Sequence, residues 1–95
     1  MKTKAKKSVA EYIGKSWIVE AAGKLRLSTR ETELILALLE GVDNASELAE
    51  KMSISPITVQ NHLANIFRKT GHSTRLEVAI KVLTKAIELK NSGHD

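Results

Sequence analysis

The sequence predicts an all-α fold: a four-helix bundle over residues 27–90, preceded by an additional N-terminal helix or a linker. Three observations point to it. Capping pairs, a Ser, Thr or Asn followed three residues later by Glu, recur at Ser8, Ser28, Asn44 and Thr74. Behind each pair, apolar residues return every three or four positions, the spacing of one helix face. No stretch alternates apolar and polar residues as a half-buried strand does, and no internal repeat is present.

The elements follow in order. Residues 1–7 hold Lys2, Lys4, Lys6 and Lys7 without an acid and read as a disordered basic arm. Ser8 and Glu11 open a candidate helix on which Val9, Ile13, Trp17 and Ala21 recur every four residues, with Tyr12 beside them and Gly23 to close it. Gly14 weakens that helix by about 1 kcal/mol relative to alanine. Residues 1–26 are therefore taken as a basic arm plus an amphipathic helix or linker. Ser28 and Glu31 cap the first bundle helix; Leu34, Ile35, Leu38 and Leu39 face inward, and Gly41 ends it in a left-handed conformation. Asn44 and Glu47 open a short second helix with Leu48, Ala49 and Met52 inward. Ser53, Ile54 and Ser55 make a tight connector. Ser55 then caps a third helix beside Pro56, which sits at the first helical position, where its missing N–H costs nothing. That helix runs from about Pro56 to Thr70 and stops at Gly71. Thr74 and Glu77 open the last helix, reaching about Lys90, with residues 91–95 as a frayed tail.

Composition narrows the function classes. A chain of 95 residues forms one small domain whose core is marginal without a partner. Hydrophobic residues at 42% and charged residues at 27% match an ordinary folded domain rather than a disordered one. The chain has no cysteine, which removes disulfides, thiolate chemistry and Cys-ligated metals. His62, His72 and His94 lack metal-ligand spacing, so no metal and no other cofactor is predicted. No glycine-rich phosphate loop occurs, and nothing brings Ser, His and Asp together as a triad, so the chain is not expected to be an enzyme. No apolar run approaches the roughly 20 residues of a membrane span, and the basic start has no secretory apolar region. The expected location is the cytoplasm.

The net charge of +4 is unevenly spread. Residues 1–26 hold seven bases and two acids, whereas residues 27–90 hold eight of each. Within the bundle, the 26 residues from Lys51 to Leu76 contain Lys51, Arg68, Lys69 and Arg75 and no acid. That segment is expected to face something anionic.

The third helix lies inside this window. On a wheel of roughly 100° per residue, Val59, Leu63 and Ile66 share one face, with His62 and Phe67 on its shoulders. Ile57, Asn61, Ala64 and Arg68 lie opposite, flanked by Gln60 and Asn65. Amide side chains can bond the donor and acceptor of an adenine edge, a small Ala64 allows close approach, and Ile57 could touch a thymine methyl. Arg68 and Lys69 near the helix end suit phosphates. With the short preceding helix this makes a helix-turn-helix. The competing reading is an ordinary amphipathic helix with a solvated polar face.

The LSTRETELI start, Gly41 and Asn44, Glu47-Leu48-Ala49, SPITVQNHLANIFRKTG and Arg75 together resemble the LuxR/GerE-type helix-turn-helix, the DNA-binding domain of bacterial transcription regulators that include NarL-like response regulators. The resemblance spans residues 27–83. It implies that the third helix enters the major groove of double-stranded DNA, with Gln60, Asn61, Ala64 and Asn65 facing bases. It implies phosphate contacts at Thr58 and Lys69 and a packing role for His62. Many members carry Lys or Arg where this chain has Gln60, and some carry Lys where it has Ala64. Those two departures should weaken phosphate-driven affinity and flatten its salt dependence.

The last helix has two apolar stripes. Leu76, Ala79, Ile80, Leu83 and Ile87 are assigned to the core, and Val78, Val82 and Leu89, with Lys85 between them, to a homodimer contact; the competing reading of the second stripe is a wider core face covered by the Trp17 helix. The resemblance implies dimerisation through this helix. A function as a sequence-specific DNA-binding transcription regulator follows. The alternative is an interaction module that pairs with a related regulator or with RNA polymerase and does not itself bind DNA tightly.

Overall fold

In the computed structural model the described residues are 7–42 and 44–92, and they form α1 (Val9–Ile13), α2 (Lys15–Lys24), α3 (Thr29–Leu39), α4 (Ala45–Met52), α5 (Pro56–Thr70) and α6 (Arg75–Ser92). Among the described residues there is no strand. Most of the basic arm, residues 1–6, and the last three residues of the tail lie outside the described residues. α6 continues through Ser92, two residues beyond the expected end.

The caps form where the sequence puts them. Ser8 and Ser28 each complete the reciprocal capping box with Glu11 and Glu31. Asn44 accepts from the Glu47 amide at 2.8 Å, and Thr74 Oγ1 accepts from the Glu77 amide at 3.1 Å. The Glu77 carboxylate accepts from the Ser73 amide, one residue upstream of the N-cap. Ser55 accepts from the Thr58 amide, with Pro56 at the first helical position.

Three helices end in the same lock, in which two successive amides bond back to carbonyls of the last turn. Arg26 and Leu27 donate to Gly23 and Ala22, Gly41 and Val42 to Leu38 and Ala37, and Ser53 and Ile54 to Glu50 and Ala49. The residue at the bend must take a positive φ, which is 98° at Gly41 but also 68° at Arg26 and 58° at Ser53. A side chain in that conformation costs about 1–2 kcal/mol, part of which glycine returns as unfolded-state entropy. Arg26→Gly and Ser53→Gly are each expected to raise stability by about 0.5–1 kcal/mol. Urea unfolding checks this; unchanged midpoints would show that neither bend is strained.

The expected single N-terminal helix is two. Gly14 takes φ +108° and both ends α1 and starts α2. A Cβ at Gly14 would stand 3.2 Å from Trp17 Cδ1 in a conformation that L side chains rarely adopt. The break resets the helical phase, so the predicted stripe of Val9, Ile13, Trp17 and Ala21 is not the buried one. Ala10, Ile18, Ala21 and Ala22 are buried, Ile13 and Trp17 are half-buried, and Val9 and Tyr12 are exposed.

α2 packs most extensively on α6 and also touches α3. This redistributes the two stripes of α6, although Ala79 and Leu83 pack against the core as expected. Val78, Val82 and Ala86 are fully buried, whereas Leu76, Ile80 and Ile87 are exposed. The sequence reading gave Val78, Val82, Lys85 and Leu89 to a partner subunit. In the fold, Val78 and Val82 belong to the chain's own core, and Leu89 packs against it. Lys85 lines a groove with Lys24 and Leu25 beside the C-terminal end of α2. The physical reason is the company α2 keeps. Its Ala21 and Ala22, with Ala86 on α6, are small enough for two helices to approach closely, and an 18-residue helix gains more from a covered face than from an open one.

The remaining core is as expected: Leu34, Ile35, Leu48, Val59 and Ile66 are fully buried, with Leu39, Ala49, Met52 and Leu63 nearly so. Among the described residues no buried side-chain polar atom lacks a hydrogen-bond partner, and no helix is long and apolar enough to cross a membrane.

Candidate nucleic-acid interface

α4, the turn at Ser53 and Ile54, and α5 form the helix-turn-helix. The two helices pack directly on each other. α5 is pinned at both ends. At its start, Ser55 Oγ accepts from the Thr58 amide at 3.1 Å and pairs with Thr58 Oγ1 at 2.9 Å. Across the turn, Arg30 Nη2 donates to the Met52 carbonyl at 2.8 Å, tying the first turn of α3 to the last turn of α4, while Nη1 pairs with Glu33. At the far end, Lys69 Nζ donates to Glu31 Oε1 at 2.8 Å, and Gly71 ends the helix at φ 77°.

Glu31 is 3% exposed. Its carboxylate accepts from the Ser28 amide as well as from Lys69. Burial alone would raise its pKa, but the Lys69 hydrogen bond, the Ser28 amide and the Lys69 charge outweigh that, and the net pKa is lowered. An ionised carboxylate with two charge-assisted partners thus fixes how α5 sits on α3.

The inward residues of α5 are those the wheel gave: Val59, Leu63 and Ile66 are buried, and His62 and Phe67 are half-buried. On the other side Ile57, Gln60, Asn61, Ala64 and Arg68 are exposed. Among the described residues nothing covers this face. It carries no acid, and Thr58, half-buried at its N-terminal edge, presents a hydroxyl already paired with Ser55.

Two candidate residues sit differently from expectation. Asn65 is half-buried, and its Oδ1 accepts from Arg68 Nη1 at 2.8 Å. It stands beside the outward face and holds Arg68. Lys69, expected on phosphate, instead directs its ammonium to Glu31. Nothing in the sequence signalled that pair, because the two residues lie 38 positions apart. Ile57, which is 73% exposed in the first turn, was legible from the wheel. Among the described residues no group of three His, Asp or Glu is placed to hold a metal ion.

Residues 25–82 match the family model described as bacterial regulatory proteins, luxR family. The chain belongs to the LuxR family of bacterial regulatory proteins. The match takes in α3 to α5 and the first half of α6, so the helix-turn-helix described above is the domain of that family. A relative is the transcriptional regulatory protein LnrK of Bacillus subtilis (strain 168), 41% identical over 56 residues. That alignment takes in 59% of this chain and 25% of LnrK, so the chain spans about a quarter of the curated relative it matches. No solved structure matches the chain. α1 and all of α2 precede the LuxR-family match and share the core with it.

Proposed function

We propose that the chain binds double-stranded DNA in a sequence-specific manner as part of a bacterial transcription regulator in the cytoplasm, with α5 lying in the major groove. One observation carries this: a helix held at both ends presents an exposed, acid-free face of amides, a small residue and an aliphatic side chain. Such a face matches base edges, and a fixed helix loses little freedom on docking. Gln60, Asn61 and Ala64 face bases. Asn65 acts through Arg68, which with Thr58 serves the phosphates. Binding rather than catalysis is the activity.

The bound form is a homodimer. The exposed stripe of Leu76, Ile80 and Ile87 on α6 supports it, next to a groove of about 340 Å³ lined by Leu38, Arg75, Leu76 and Ala79. A twofold pair would read half-sites roughly 34 Å apart.

The test is an anisotropy titration of mixed-sequence duplexes at two salt concentrations. Affinity is expected to fall as salt rises, because neutralised phosphates release counterions. Arg68→Ala should lower the slope of log affinity against log salt by about one. Lys69→Ala should change the slope less, since its charge is already matched by Glu31. Absent or salt-insensitive binding would contradict the proposal and favour pairing with another regulator or RNA polymerase.

A further inference from the structure

On the reading that α5 lies in the major groove, its free face selects among the bases. Four edge chemistries are available there. Guanine is read by Arg or Lys on O6 and N7, cytosine by a carboxylate on N4, adenine by Asn or Gln on N6 and N7, and thymine by an apolar contact with its methyl. Between Lys51 and Arg68 the chain has no Lys or Arg, and between Glu50 and Glu77 it has no acid. Of the two bases at the end of α5, Lys69 is engaged with Glu31, and Arg68, steered by Asn65, is the one assigned to phosphates. The first two chemistries are therefore missing from the face.

The last two are present together. Ile57, Gln60, Asn61 and Ala64 fall at i, i+3, i+4 and i+7, one continuous stripe, and all four are exposed. From Ile57 to Ala64 the helix rises about 10 Å, the length of roughly three base-pair steps. Arg68 stands a further turn away, beyond the same base pairs. Asn65 is half-buried beside the stripe, and its carbonyl oxygen is turned to Arg68, so it is left out of the reading face.

We propose that this stripe is a reader of A·T base pairs, with Gln60 and Asn61 bonding adenine edges and Ile57 and Ala64 packing on thymine methyls. Each half-site centres on about three A·T pairs. The preference is chemical rather than electrostatic, so it persists at salt concentrations that weaken binding overall.

The experiment has two stages. The full chain first selects from a duplex pool with a randomised core. The enriched duplex is then remade with uracil for thymine, which removes only the methyl, and with 7-deazaadenine for adenine, which removes only N7. Enriched half-sites are expected to be A·T-centred. Uracil should weaken binding roughly fourfold per contacted methyl, and 7-deazaadenine about fivefold per contacted adenine. Ile57→Ala should lessen the loss caused by uracil, leaving the part due to Ala64, and Asn61→Ala should lessen the response to 7-deazaadenine, leaving the part due to Gln60; a variant that responds as wild type does counts against the assigned contact. Both side chains are exposed, so helicity should be unchanged. Salt-dependent DNA binding with G·C-centred half-sites, or with no response to either base analogue, overturns A·T reading and leaves DNA binding standing. No enrichment together with no salt-dependent binding overturns both.

Discussion

Ile18→Ala is expected to lower the unfolding free energy by about 2–5 kcal/mol. Ile18 lies before the stretch that matches the LuxR family, yet it is fully buried. It sits on α2, which packs extensively on α6, the helix whose Val78, Val82 and Ala86 are buried. Truncation removes transfer free energy and leaves a cavity between helices already in close contact, which can collapse only partly. Urea unfolding followed by far-UV circular dichroism gives the number. A cost under about 1 kcal/mol would mean that α2 packs loosely and that the fold stands without it. The expected loss is a large part of the 5–15 kcal/mol that typically separates folded from unfolded domains.

The second large effect belongs to the pair that anchors α5. Lys69→Ala should cost about 1–3 kcal/mol at neutral pH, because it strands a carboxylate that is 3% exposed. The Lys69 side chain itself is 29% exposed, which keeps the figure below that of a fully buried pair. The pH dependence has a definite sign. The folded Glu31 carboxyl has a lowered pKa, so its contribution is fully present above the ordinary unfolded glutamate value and is lost as pH falls through the folded value. The gap between wild type and Lys69→Ala should therefore narrow in acid. Unfolding midpoints across that pH range check this; a gap that stays constant would show that Glu31 is not held ionised by Lys69. Glu31→Gln should be milder, since an amide oxygen can still accept from the Ser28 amide and from Lys69.

The helix-turn-helix was legible in the sequence because local chemistry writes it there. The Ser28, Asn44 and Ser55 caps, Pro56 at the start of α5 and Gly71 at its end act within a few residues of themselves. One inward stripe on α5 leaves a single way to dock it, so the exposure of Asn61, Ala64 and Arg68 followed. Ambiguity began where a helix had two apolar faces. On α6 either stripe could meet the core, and the packing of α6 on α3, α5 and above all α2 decides for Val78 and Val82. The α2 contact depends on Gly14, whose break turns the face that α2 presents. Side-chain pairing was the least legible. Lys69 and Arg68 are adjacent bases at the end of one helix, yet one reaches a glutamate on α3 and the other an asparagine a turn back. Sequence spacing reveals the second kind of pair and not the first.

The most direct test of the central claim is a map of which backbone amides respond to DNA. Uniformly ¹⁵N-labelled protein titrated with the selected duplex should show its largest amide shifts from Ser55 through Arg68, with α2 and the exposed stripe of α6 changing little until a dimer forms. Shifts concentrated on α2 and α6, with Gln60, Asn61 and Ala64 unmoved at saturation, would contradict it.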